Sequence, residues 1–158
     1  MTMPPQFLTK QGYKKLGDEL EHLRTVKRKE IAERLREAAE ASLGEFVEDP
    51  EFEAAKNEQS FVEGKIRELE LLLANAQVIT KKRKKTGIVE IGSTVVIKEG
   101  RMKPEEYMIV GAAEANPQEG KISHESPLGS ALIEKKEGDK IEVSAPSGSF
   151  SVKIVEVK

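Results

Sequence analysis

Acidic side chains are concentrated in one short stretch of the amino-terminal half. Within nine residues the chain carries Glu45, Glu48, Asp49, Glu51 and Glu53. No lysine or arginine lies between Arg36 and Lys56 to balance them. Asp49, Glu51 and Glu53 flank a proline suited to the first turn of a helix, and carboxylates are favourable at the positive end of a helix. Helix capping therefore accounts for these three, and it accounts less well for the two that precede them.

Glu45 and Glu48 lie before the predicted helix start, where the apolar pair Phe46-Val47 separates them. Two convergent carboxylates are hard oxygen ligands suited to Mg²⁺, an ion that keeps several waters and seldom needs a complete protein cage. Two carboxylates alone bind it weakly. We therefore predict a shared Mg²⁺ site at Glu45 and Glu48, with the remaining ligands supplied by a partner.

Basic residues form two further groups. The first lies on one predicted helix and comprises Arg24, Lys27, Arg28, Lys29, Arg34 and Arg36, which alternate with glutamates. That alternation favours a salt-bridged surface, and the alternative is a face that steers phosphate groups. The second group, Lys81 to Lys85, could contact a phosphate backbone weakly, but no aromatic residues are interleaved for base stacking. His22 and His124 have no metal-ligand spacing.

Two long helices are predicted to carry the acidic cluster. Thr9 is a candidate N-cap, and apolar residues then recur every three or four positions at Tyr13, Leu16, Leu20 and Leu23, in a helix that can run nearly to Gly44. After Pro50 the same alternation appears at Phe52, Ala55, Gln59, Val62, Ile66, Leu69, Leu73 and Ala76. Two such stripes predict an antiparallel coiled-coil hairpin over residues 1–80, with its tip at about 43–51.

The pattern changes after a basic linker at 81–87. Residues 88–158 are predicted to form a small α+β domain with strands at 88–91, 94–98, 107–110, 140–144 and 150–157. Pro146-Ser147-Gly148 is predicted as a hairpin turn. Ser126-Pro127 is predicted to open a short helix that extends to about Ile133.

Composition narrows the classes of protein. The 158 residues contain no cysteine, which excludes disulfides and thiolate sites and is consistent with the cytoplasm. Charged residues make up 34% and aromatic residues only 4%, a composition typical of exposed helical surface. The start lacks the apolar run of a signal peptide, so we expect a cytoplasmic protein.

Several ordered motifs resemble the bacterial Gre transcript-cleavage factors. They are AAKNEQSFVEGKI at 54–66, LANAQVI at 73–79, IGSTV at 91–95, GAAEA at 111–115 and ISHESPLGSALI at 122–133. The resemblance implies an FKBP-like second domain that docks on RNA polymerase, and a hairpin that enters the secondary channel of the enzyme. It also implies a monomeric accessory factor, not an enzyme, which stimulates the polymerase to cleave backtracked RNA at its 3′ end.

The resemblance also implies roles for individual residues. Glu45 and Glu48 match the two acidic tip residues that help to hold a second Mg²⁺ and the attacking water in the polymerase site. Docking is assigned to Glu114, Glu125, Ser126, Pro127 and Leu128. The charge pattern, and not the resemblance, makes Arg28, Arg34, Arg36 and Lys56 the candidates for steering RNA or phosphate.

The tip departs from the usual family pattern. Family tips read Gly-Asp-Leu-x-Glu-Asn-Ala-Glu-Tyr, whereas this chain has GEFVEDPEF at 44–52, with Glu45 in place of Asp. One alternative is therefore a Gre-like channel binder that inhibits polymerase without stimulating cleavage. A more distant alternative is a prolyl isomerase or chaperone, which would need an aromatic-lined pocket although the domain offers only Tyr107 and Phe150.

Overall fold

The structure is a computed structural model that describes residues 4–41, 49–80 and 87–158. The predicted metal ligands Glu45 and Glu48 and the basic run Lys81 to Lys85 lie outside the described residues. Two compact units are present: residues 14–75 form one, and the residues up to Tyr13 together with those from Ala76 onward form the other. The predicted hairpin segment thus contributes both of its ends to the carboxy-terminal unit.

The first predicted helix is present but is not α-helical throughout. It consists of α1 (Lys10–His22), a π-helical segment (Leu23–Lys27) and α2 (Arg28–Ala41). Thr9 caps it as predicted, because its Oγ1 accepts a hydrogen bond of 3.0 Å from the backbone N–H of Gly12.

The π-helical segment keeps the apolar residues on either side of it on one face of the helix. Leu23 and Ile31 both pack in the hairpin core although they are eight residues apart, which exceeds two α-helical turns by almost one residue. A π-helical turn takes up about one additional residue and returns Ile31 to the same face as Leu23. Val26, within the wide turn, is 39% exposed.

The second helix, α3 (Pro50–Ala74), begins at Asp49, whose carboxylate accepts a 2.9 Å hydrogen bond from the Glu51 N–H. The hairpin core contains Leu20, Ile31, Val62, Ile66 and Leu69, flanked by Leu16, Leu23, Leu35 and Leu73. Two residues that the spacing assigned to the apolar stripes are not buried in the hairpin core. Tyr13 is 42% exposed and Gln59 is exposed, since a two-helix seam has room for only part of each stripe.

A short parallel strand pair was not predicted. Strand β1 (Gln6–Thr9) pairs with β2 (Ala76–Ile79), so Ala76 lies in a strand and not in the helix to which its spacing assigned it. Asn75 ends α3, and its side-chain amide donates to the Leu71 carbonyl. Leu8 is fully buried, which anchors β1.

In the described part of the carboxy-terminal unit, five strands form one sheet in the order β5-β4-β3-β7-β6. Their bounds are β3 (Thr94–Lys98), β4 (Glu105–Val110), β5 (Lys121–Ser123), β6 (Lys140–Ala145) and β7 (Gly148–Val157). Within this five-stranded sheet the β4–β5 pairing is parallel, and the other three pairings are antiparallel. The α+β class and the β6–β7 hairpin are confirmed, and β5 was missed because it is only three residues long.

The predicted strand at 88–91 is wrong. Ile88 makes a single bridge to Lys136, and Val89 exchanges hydrogen bonds with the loop that follows helix α4 (Pro127–Leu132). Val89 is completely buried, so burial of this segment comes from loop packing. The core of the unit combines Val89 with side chains of the sheet and Leu132 of α4.

None of the helices in the described residues is both long enough and apolar enough to cross a membrane.

Candidate functional site

Three of the clustered acidic residues lie in the described part of the hairpin, and they stabilise the start of α3. Asp49 is the N-cap of α3, and Glu51 and Glu53 occupy its first turn, so the capping interpretation of these three is confirmed. Among the residues that the structure describes, no three acidic, histidine or cysteine side chains are grouped closely enough to hold a metal ion. A metal site at the tip therefore depends on Glu45 and Glu48, which lie outside the described residues.

Ion pairs join the two helices of the hairpin. Arg28 binds Glu63 through two hydrogen bonds, from Nε to Oε1 at 2.6 Å and from Nη2 to Oε2 at 2.8 Å. Arg24 pairs with Glu70 and Arg34 with Glu58. As the residue number of the arginine increases, that of its glutamate partner decreases, as two antiparallel helices require. The prediction of a salt-bridged face is confirmed for these three arginines.

The Arg28–Glu63 pair shifts the titration of both groups. The hydrogen bonds from Arg28 lower the pKa of the Glu63 carboxyl below its usual value, and those same bonds raise the pKa of the Arg28 guanidinium. Both side chains are substantially exposed, so solvent screens the pair. Its contribution to the free energy of unfolding is therefore small.

Two of the four predicted steering residues are thus engaged within the hairpin. Arg28 and Arg34 are each paired with a glutamate of α3. Arg36 is exposed on α2, and Lys56 is exposed on α3 with its Nζ 5.1 Å from the centre of the Phe52 ring. Arg36 and Lys56 are the better candidates for contact with a polyanion.

The predicted docking segment forms a tightly closed turn. The Ser126 hydroxyl donates to the Ser123 carbonyl at 2.6 Å and accepts from the Gly129 N–H at 3.0 Å, which confirms Ser126 as the N-cap of α4. A Cβ at Gly129 would lie 1.9 Å from the Ser123 carbonyl oxygen, so only glycine fits there.

That turn divides the predicted docking residues into inner and outer ones. Leu128 is partly buried and packs against the sheet core. Pro127 is exposed, and the Glu125 side chain is 71% exposed. Glu125 and Pro127 are therefore the members of the set that are available to a partner surface.

Glu114 has partners within its own unit. Its two carboxylate oxygens accept hydrogen bonds from Thr9, one from the backbone N–H at 2.6 Å and one from Oγ1 at 2.5 Å. This contact could not be predicted from the sequence, because the two residues are 105 positions apart. His124, for which the sequence predicted no metal-binding role, packs its ring edge-to-face against Phe7, with the ring centres 5.7 Å apart.

Comparison with known proteins covers almost the whole chain. Residues 6–78 match the family described as "Transcription elongation factor, N-terminal", and residues 84–158 match "Transcription elongation factor, GreA/GreB, C-term". The chain is 49% identical over 152 residues to transcription elongation factor GreA of Clostridium acetobutylicum, covering 96% of this chain and 95% of that protein. It is 47% identical to the GreA of Thermoanaerobacter pseudethanolicus, covering 98% of each.

The chain is also similar to solved structures, one of which is described here. GreA factor homolog 1 of Thermus thermophilus is 30% identical, with 98% of this chain and 99% of that chain covered and a TM-score of 0.44.

Proposed function

The chain belongs to the GreA/GreB family of transcription elongation factors, and from this premise we propose that it binds RNA polymerase and stimulates cleavage of backtracked RNA, rescuing arrested complexes. In this proposal the polymerase performs the cleavage and the chain is an accessory factor that acts on the 3′ end of the nascent RNA. The observation that carries the proposal is the match of both halves to one family, combined with an ion-paired helical hairpin that brackets an acidic segment.

In this proposal the helical hairpin carries the acidic segment into the secondary channel of the polymerase. The two helices are held in register by a continuous apolar seam and by three arginine–glutamate pairs on exposed positions. Such an element can reach through a narrow channel without a thick core, which a secondary channel of RNA polymerase would require. Glu45 and Glu48 lie in the segment that this hairpin carries.

The two glutamates fit Mg²⁺ by the chemistry of their donors, since carboxylate oxygens are its preferred protein ligands. When bound, a second Mg²⁺ would activate water and stabilise charge on the phosphodiester. The chain's own contribution is to present two negative side chains and to hold them while the polymerase completes the site.

The carboxy-terminal unit supplies the docking surface in this proposal. Glu125 and Pro127 extend from a turn that Ser123, Ser126 and Gly129 hold rigidly. A rigid turn loses little conformational entropy on binding, which favours its use as a recognition element. Ser126 and Leu128 support that surface from within the unit. In this proposal, Arg36 and Lys56 make any weak contact with nucleic acid.

The test is RNA cleavage in stalled complexes of the cognate polymerase with the Glu48→Gln variant. We expect stimulated cleavage to be abolished while polymerase binding stays within about twofold, because loss of one ligand charge removes the metal site but not the docking turn. Glu53→Gln is the matched control, since it removes the same charge from the first turn of α3.

Two results would contradict the proposal. If the unaltered chain reduced RNA synthesis without shortening the transcript, the inhibitory channel binder would be the correct function; the Glu at position 45 in place of the family's Asp favours that alternative. If Glu48→Gln lost binding and cleavage together, the division of labour between tip and docking turn would be wrong.

A further inference from the structure

We propose that the outer face of the five-stranded sheet binds the phosphate backbone of double-stranded DNA through a row of three lysines, Lys98, Lys153 and Lys140. This surface belongs to the carboxy-terminal unit and adds to the two exposed bases of the hairpin, Arg36 and Lys56. It does not rest on the proposed function, because its test needs no polymerase.

The three lysines lie side by side across three strands. Lys98 of β3 is the register partner of Lys153 of β7, and Lys153 is in turn the partner of Lys140 of β6. Each is exposed and alternates with a buried neighbour, Ile97, Val152 or Ile141, so all three lie on the solvent face of the sheet. Neighbouring strands are about 5 Å apart, and the row therefore spans roughly 10 Å.

Like charges at directly opposite positions destabilise a sheet, and this row contains two such pairs. Among the residues that the structure describes, none of the three ammonium groups forms an ion pair. Other lysines of the same unit are matched: Lys158 lies 2.7 Å from Glu106, and Lys121 lies 3.6 Å from Glu119. The row is thus a concentration of positive charge that the fold itself does not neutralise.

The carboxylates on the same face are placed elsewhere in the register. Glu142 of β6 is opposite Ser151, and Glu156 of β7 is opposite Val96. Neither is the register partner of a lysine in the row, so the sheet separates its charges along the strands.

Protection of a sheet edge accounts for only part of the row. Lysines on an edge strand discourage pairing with another chain, and β6 is the strand at one end of the sheet. That purpose explains Lys140. It does not explain Lys153 and Lys98, because β7 and β3 are both internal strands.

The row also lines a groove that can receive a phosphate group. The groove has a volume of about 680 Å³, and Gly100 and Gly138 leave part of its wall without side chains. Glu137 is the only carboxylate among the described residues that line it, and its Oε2 lies 3.4 Å from the Val157 backbone N–H, from which it accepts a hydrogen bond.

The composition of the groove favours duplex DNA over other polyanions. Protein interfaces are poor in lysine, and their binding energy comes mainly from tryptophan, tyrosine and arginine, which are absent from the described lining. Single-stranded RNA is held largely by stacking on aromatic rings, which the described lining also lacks. Duplex DNA carries one charge per about 1.7 Å of its axis, so a row of lysines can neutralise its phosphates without reading its sequence.

The test is binding of the full-length chain to a short fluorescent DNA duplex, followed by anisotropy as salt is raised. The logarithm of the association constant should fall linearly with the logarithm of salt concentration, by about 0.9 for each phosphate neutralised. Combining Lys98→Gln, Lys140→Gln and Lys153→Gln should make this slope shallower by about 2.7 and weaken binding roughly tenfold or more at low salt. An unchanged slope would overturn the proposal.

A second triple variant controls for net charge. Lys14→Gln, Lys121→Gln and Lys158→Gln together remove the same three charges, but from lysines that each have a carboxylate partner. Its slope should change by less than about 0.9. Equal changes in the two triple variants would show that binding depends on total charge and not on the row.

Two further measurements guard the interpretation. Removing the row eliminates two like-charge pairs, so the thermal unfolding midpoint of the carboxy-terminal unit should stay the same or rise. A lower midpoint would show that the lysines are structural and would refute the binding role. Unlabelled duplex should compete best at equal charge concentration; stronger competition by single-stranded RNA or by a polyglutamate peptide would assign the row to that partner and overturn the proposal.

Discussion

The two compact units are stabilised in different ways. In the described part of the carboxy-terminal unit, the buried cluster is enclosed by a sheet, a helix and a loop. Six of its members are completely buried: Val89, Val95, Ile109, Leu132, Val143 and Ile154. The hairpin buries a narrower set along one seam, and its ion pairs lie on exposed positions.

The difference predicts what each unit is sensitive to. An enclosed core depends on filled volume, since a deleted side chain leaves a cavity that the surroundings cannot fill. A two-helix seam depends on phase, since a rotation of one helix moves its whole apolar stripe away from the other. The hairpin should therefore respond most to changes in residue spacing, and the carboxy-terminal unit to changes in side-chain size.

The largest effect is expected from truncation in the enclosed core. Leu132→Ala should lower the free energy of unfolding of the carboxy-terminal unit by about 2–5 kcal/mol, because Leu132 is completely buried and its removal leaves a cavity. Chemical denaturation followed by a probe in the sheet measures it. Met102→Ala, at a side chain that is 61% exposed, is the control and should change the value by less than about 0.5 kcal/mol. Equal losses in both variants would refute the dependence on enclosed volume.

A one-residue deletion should distinguish positions within the hairpin. Deleting Val26 removes an exposed residue from the π-helical segment, and the wide turn can then close to a regular α-helical one. Helix content and thermal unfolding of the hairpin should change little. Deleting Glu33, between the buried Ile31 and the partly buried Leu35, has no wide turn to absorb it and should rotate the end of α2 by about 100° from its partner.

The two deletion variants serve as controls for each other, since each is one residue shorter than the unaltered chain. Far-ultraviolet circular dichroism during heating compares them. If deletion of Val26 destabilised the hairpin as much as deletion of Glu33, the π-helical segment would not be the element that corrects the phase of the stripe.

Local signals in the sequence were sufficient for much of this fold. The three-four spacing located both hairpin helices, and the Ser126-Pro127 pair located α4 to within one residue of its end. The alternation of β6 and β7 with the turn between them was also recognisable. Each of these elements depends on neighbours in the chain, so a single sequence contains the information.

The elements that were missed depend on distant partners. Strand β1 has four residues and is paired only with β2, about 70 positions later. The π-helical segment follows from the need of Ile31 to meet α3. For the same reason the Thr9–Glu114 contact could not be read from either residue, although Gly12 and Gly111 mark the close approaches that permit it. The ion pairs of Arg28 and Arg34 illustrate the same limit, since the sequence left a salt-bridged face and a phosphate-steering face as alternatives.

The smallest effect is expected from the ion pair between the helices, and it can be isolated by pH. Arg28 lowers the pKa of Glu63 in the folded hairpin, with a lesser contribution from Arg67, so the carboxylate is stabilised by folding. Its contribution is fully present above the ordinary value of about 4.5 and is lost as pH falls through the lower folded value. The difference in thermal stability between the unaltered chain and Glu63→Gln should therefore be present at neutral pH and vanish in acid, and salt should reduce it because the pair is exposed.

Glu68→Gln, which removes a carboxylate paired with Lys65 on the same helix, provides the control. A difference for Glu63→Gln that persisted unchanged in acid would mean that Glu63 stabilises the seam by packing and not by its charge.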